Sequence, residues 1–180
     1  AVIRPLALCE ERQIEAFAAR WTERMNVAER LIALDREIAQ AKADILKAEA
    51  TEEALIPWLD LPVPLTFQGT STTRAWIGSV QGEADGAALL ARMTEAVPTL
   101  GPVHIEIIRS SKEMTSFYVL ALKRDAAGVD AALNALGFTR PSGASSRTPV
   151  LALERQKEKK QAAQARIDLS AAEIKSYESQ

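Results

Sequence analysis

The chain has 180 residues, with 22 Lys plus Arg against 24 Asp plus Glu, and 47% of it is hydrophobic. That length holds one or two domains, the hydrophobic content supports a packed core, and the near balance of charge gives no electrostatic case for nucleic acid as the main partner. A single cysteine, Cys9, can neither close an internal disulfide nor build a zinc site, which points to a reducing compartment. No run approaches the ~18 consecutive apolar residues of a membrane span, and no signal-peptide pattern opens the chain. The first residue is Ala1, and a helical pattern is still open at Gln180, so a piece of a longer protein is expected.

From Glu10 to Ala54 there is neither Pro nor Gly. Apolar residues recur at threes, fours and sevens: Ile14, Phe17, Trp21, Ala28, Leu31, Ile38, Ala41 and Ile45, with Arg12, Glu15, Glu23, Glu29, Arg36 and Lys47 between them. This amphipathic stripe predicts one helix roughly 65 Å long at 1.5 Å per residue. Such a helix needs a helical partner along its length.

Pro57, Pro62 and Pro64 stop the helix, because proline lacks an amide proton and clashes with the preceding turn. The middle of the chain changes character. Arg74 to Val80 reads as a strand, Glu83 to Val97 as a helix, and Val103 to Arg109 as a strand with Val103, Ile105 and Ile107 on one face. Phe117 to Leu122 is a more buried strand. Asp125 is the expected N-cap of a helix carrying Val129, Ala132, Leu133 and Leu136, with Gly137 at its C′ position. Phe138 to Arg140 is a short last strand. The β-α-β-β-α-β order is ferredoxin-like, an α+β class.

Pro141 to Ser146 is a linker. Thr148 as N-cap and Pro149 at the first helical position start a second long helix, striped by Leu153, Ala163, Ile167, Ala171 and Ile174. Both long helices attach to one lobe, so antiparallel pairing is expected. The expected divisions are 1–56, a first arm helix; 57–148, the α/β lobe; and 149–180, a second arm helix. Ile14, Phe17, Trp21, Leu31, Ile38, Ile45, Leu153, Ile167 and Ile174 are the expected packing residues of a coiled coil. Pro57, Trp58, Thr148 and Pro149 mark the junction of rod and lobe, with Trp58 a clamp on the angle between them.

Residues that carry chemistry elsewhere do not assemble here. Gly78, Gly82 and Gly86 lack the spacing and the lysine of a phosphate loop. His104, the sole histidine, alternates with Val103 and Ile105 and falls opposite the core face, with no nucleophile or metal partner at suitable spacing. Glu10-Glu11 and Glu52-Glu53 are adjacent in helices and project about 100° apart, so they do not converge. Arg155 to Lys160 is basic, but interleaved glutamate and the absence of aromatics fit a solvated face. No cofactor, no metal and no catalytic set is expected.

The stretch Leu59 to Gly82, LDLPVPLTFQGTSTTRAWIGSVQG, resembles the cytosolic region of the large membrane stator subunit (subunit I, or subunit a) of V/A-type rotary ATPases. The elements that carry the resemblance are Pro57-Trp58, Leu59 to Pro62, Gly69-Thr70, and Ala75-Trp76-Ile77-Gly78. Leu136-Gly137-Phe138 and Thr148-Pro149 add the end of the second lobe helix and the return into the coiled coil. The resemblance is clearest over residues 56–155. The family's initial strand-rich segment and its transmembrane half are absent.

The resemblance implies a non-catalytic scaffold: the lobe farther from the membrane anchor plus part of an antiparallel rod, on the cytoplasmic face of the cell membrane. It implies the E- and G-type peripheral-stalk subunits and the remainder of the same polypeptide, including its transmembrane half, as partners, and torque resistance in a proton- or sodium-translocating machine as the role. Nucleic acid and direct membrane insertion are not implied. Glu83, Arg92 and Glu95, read on the first lobe helix, are the expected partner contacts. Two other classes fit the outline: a metabolite-binding regulatory ferredoxin-like domain, and the coiled-coil hinge of a chromosome-organising ATPase.

Overall fold

The structure, a computed structural model, describes residues 10–143 and 145–179. The chain divides into two compact units. One comprises the residues up to Leu46 together with those from Lys160 onward; the other is Lys47–Lys159.

The first unit is helical. Its longer element belongs to α1 (Glu11–Leu55), 45 residues rich in Ala, Glu, Arg and Leu, all strong helix formers, and Pro57 follows its end. Its shorter element belongs to α4 (Pro149–Glu178). On α1, Leu34 and Ala41 are fully buried, with Ile38 half-buried between them and Leu31 and Ile45 half-buried on either side. This three-and-four spacing is a heptad seam. On α4, Ala163 and Ser170 are buried and Ile167 and Ile174 half-buried at the same spacing. Three polar contacts set the direction. Arg30 forks onto Glu173 at 2.7 and 2.8 Å, Ser170 donates to Glu37 at 3.2 Å, and Arg166 meets Asp44 at 2.7 Å. Numbers rise on α1 as they fall on α4, so the two run antiparallel.

The second unit is an α+β lobe. β1 (Thr73–Gln81), β2 (Val103–Ser110) and β3 (Met114–Leu122) form a sheet in the order β1-β3-β2, antiparallel throughout. α2 (Gly86–Ala96) and α3 (Ala126–Ala135) cover one face. Their core joins Trp76, Val80, Leu89, Met93, Phe117, Val119, Val129 and Leu133, all nearly or fully buried. The alternation read in β2 holds: Val103, Ile105 and Ile107 pack against this core.

Four local differences from the sequence reading have physical causes. The last strand shrinks to a single bridge between Ser79 and Thr139, because Pro141 has no amide proton to extend the ladder. α2 starts at Gly86 rather than Glu83, because the Asp85 carboxylate accepts from the Ala88 amide at 2.7 Å and fixes the first turn there. Asp125 precedes α3 but makes no side-chain cap bond; its carboxylate packs against Gly101, where a Cβ would lie 2.8 Å from the carboxyl carbon. β2 carries a bulge between Ile107 and Arg109, which sets Ile108 toward the sheet's other face.

Gly137 does end α3 as expected, at φ +72°. Its amide donates to Asn134 and that of Phe138 to Leu133, a Schellman arrangement that folds the Phe138 ring back onto Phe117 at 5.5 Å between centroids.

Candidate interaction surfaces

The sheet's second face is not left bare. Trp58, Leu61 and Ile77 are buried there in one cluster, with Val63, Leu65, Phe67, Ile108 and Tyr118 packed against it. The proline-rich segment after α1 therefore acts as a lid on the sheet. Two hydrogen bonds pin its start: Ser116 donates to the Pro57 carbonyl at 2.9 Å, and Arg109 donates to the Ile56 carbonyl at 3.3 Å. Trp58, read as a clamp at the junction, is a core residue of this cluster. Farther along, Gln68 accepts from the Ala75 amide and Thr139 accepts from that of Ser79, so both cover the free edge of β1.

Beside the lid a polar group stays in water. The Tyr118 hydroxyl donates to Glu106 from the paired position on the neighbouring strand, and His104 lies 3.5 Å from the same carboxylate. The tyrosine bond, then the histidine, holds the Glu106 carboxyl below its ordinary value. The same bond pushes the Tyr118 hydroxyl up to about 12. The three side chains are linked by hydrogen bonds and an ion contact, with no nucleophile among them. Sequence reading missed the group because its members are 12 residues or more apart except for His104 and Glu106; only the strand register joins them.

On the helix side, Arg92 and Glu95 are exposed on α2 and border a shallow groove with Ala96, Ala135 and Leu136. Glu83 is exposed too, but it sits in the turn before α2 rather than on the helix. That turn is anchored by Thr115, fully buried, which donates to the Gly82 carbonyl at 2.8 Å and accepts from the Ala84 amide at 3.0 Å. Asp85 at the start of α2 sets a carboxylate where a phosphate loop would need an anion site.

Among the junction residues, Pro149 is fully buried and Thr148 half-buried, and the Thr148 carbonyl accepts from Ala152 at 2.8 Å. Leu153 is half-buried in the lobe unit. In the helical unit Leu31, Ile38, Ile45, Ile167 and Ile174 lie in or beside the seam. Ile14, Phe17 and Trp21 stand exposed instead, and the polar contacts to α4 start only at Arg30. Among the described residues no group of His, Cys, Asp or Glu could hold a metal, and no helix is long and apolar enough to cross a membrane.

No family model matches the sequence, and no curated protein does. A solved structure does: the crystal structure of the cytoplasmic N-terminal domain of subunit I, homolog of subunit a, of V-ATPase. It is similar over 97% of this chain and 56% of its own, with a TM-score of 0.54 and 18% identity. The chain thus spans just over half of that domain.

Proposed function

We propose, from the fold shared with that subunit I domain through both long helices and the lobe, that the chain is a non-catalytic stator arm of a rotary ATPase. It links the membrane sector to the helical peripheral-stalk subunits, of E and G type, on the cytoplasmic face of the membrane, and it resists torque while protons or sodium ions are moved by other parts of the machine. The observation that carries this reading is the coverage of 97% of the chain, since a match to the lobe alone would fit any ferredoxin-like domain. The exposed Glu83, Arg92 and Glu95 offer the contact surface. Its affinity need not be high, because a stator gains from several attachments at once.

Calorimetric titration with the purified peripheral-stalk heterodimer from the same source tests this. Saturable one-to-one binding is expected, weakened by Arg92→Glu and Glu95→Lys. A folded chain that binds nothing at tens of micromolar, roughly the weak end of functional contacts, overturns it.

A further inference from the structure

The lid over the sheet's second face does not fill the space beneath it. A cavity of about 110 Å³ lies between them. Its roof is Leu61, Pro62, Val63 and Phe67 of the lid. Its floor is Ala75 and Ile77 of β1 with Tyr118 and Leu120 of β3. One small residue accounts for the gap. Ile77 faces Tyr118 across the ladder, but Leu120 faces Ala75, whose methyl leaves room where a larger side chain would stand. The lid cannot settle into that room. Ser116 holds its start by the Pro57 carbonyl at 2.9 Å, and the Ala75 amide holds its end by the Gln68 carbonyl, also at 2.9 Å. Between these points Pro62 and Pro64 fix the backbone angle φ.

The lining is apolar. Tyr118 alone among the lining side chains has a polar atom, and its hydroxyl already donates to Glu106. The amides of Leu61, Phe67 and Ala75 are bonded to the carbonyls of Trp58, Pro64 and Gln68. A water inside would lack the roughly two to four partners it needs, whereas a dry apolar cavity of ~150 Å³ takes up benzene or xenon. The roof is not sealed: Pro62 is exposed and Val63 and Phe67 are half-buried, so a small molecule has a way in beside the lid.

We infer that this cavity is a binding site for a small uncharged apolar molecule, about the size of one benzene ring, which bridges lid and sheet. A hydrogen-bonding or charged ligand is rejected, because a polar group buried there finds no partner. The site lies wholly within the lobe unit and does not depend on the stator reading.

Titration of benzene into the 180-residue chain tests this, followed by methyl nuclear magnetic resonance and by thermal melts. Saturable shifts confined to the methyls of Leu61, Val63, Ile77 and Leu120 are expected, with a Kd of about 1 mM and a rise in melting temperature of about 4 °C at roughly ten times Kd. Phenol, the same ring with a hydroxyl, is expected to bind at least about tenfold more weakly. Ala75→Ile fills the cavity from a strand position that suits a β-branched residue. It is expected to abolish the benzene shifts and to raise the melting temperature without benzene. If that variant does not fold, Leu120→Phe, on the neighbouring strand, reads the same loss. Shifts that are absent or do not saturate, shifts that persist in a folded filled variant, or phenol binding as tightly as benzene would each overturn the inference.

Discussion

The indole N–H of Trp76 donates to the Asp130 carboxylate at 2.7 Å, tying the first strand of the lobe to its second helix across 54 residues of sequence. Trp76 is 2% exposed, and Arg74 completes the group, 3.4 Å from the other oxygen of Asp130 and 5.1 Å above the indole ring. A tryptophan this deep needs a partner for its one polar atom, and Asp130 supplies it. Trp76→Phe keeps an aromatic ring but removes the donor and part of the buried area. We expect a loss of about 2–4 kcal/mol in denaturant unfolding. Asp130→Asn, which keeps an acceptor oxygen, is expected to cost less than half of that.

Gly78 is held without a side chain by its neighbours, not by its backbone angles. A Cβ there would fall 2.3 Å from the Phe138 ring and 2.4 Å from the Thr139 carbonyl. Gly78→Ala is therefore expected to push the 138–139 segment off β1 and to destabilise the lobe by about 1–3 kcal/mol. Amide exchange at Ser79 and Thr139, which bond each other at 2.9 Å in both directions, should accelerate more than exchange in β3.

In the helix pair, Ala41 and Ala163 are both 0% exposed. Small seam residues leave no room for longer ones, so Ala41→Leu is expected to lower the stability of the pair by about 1–3 kcal/mol. Thermal melts followed by far-ultraviolet circular dichroism measure this. A rise in melting temperature would mean that the seam has space to fill.

Acid should weaken both units through identified carboxylates. Glu106 and Glu173 titrate below their ordinary value, the first held by Tyr118 and then His104, the second by Arg30. A depressed carboxyl stabilises the fold above its unfolded value, about 4.3, and that contribution is lost as pH falls through the lower folded value. Glu106→Gln and Glu173→Gln are each expected to flatten the acid limb of the melting-temperature profile below about pH 4 and to leave the neutral region nearly unchanged. At the alkaline end, the Tyr118 bond stabilises below about pH 10 and fades as pH rises toward 12. Tyr118→Phe should remove the tyrosine ionisation near pH 12 seen by absorbance.

Local chemistry wrote the elements legibly. Pro57 and Pro149 mark helix ends in single letters, Gly137 marks a left-handed C′ position, and Val103-Ile105-Ile107 mark a face. The lid over the second sheet face was not legible. Trp58, Leu61 and Phe67 sit in a proline-broken stretch with no period, so nothing local says that they meet Ile77 and Ile108.

The three polar contacts of the helix pair bear on something other than stability. Exposed ion pairs are each worth ~0–1 kcal/mol and a single hydrogen bond about 1 kcal/mol, so Arg30–Glu173, Arg166–Asp44 and Ser170–Glu37 add little to the folding free energy. A seam of repeating apolar knobs, however, packs nearly as well after a slip of seven residues. Their α1 members, Arg30, Glu37 and Asp44, also recur every seven residues, but the charge changes sign along them. A slip of seven residues in either direction sets Glu173 against a carboxylate, Glu23 or Glu37, in place of Arg30, so the charges act as a ratchet pawl. The pair then has one overlap between its helices, and a pull along its axis meets a fixed length instead of a series of neighbouring ones.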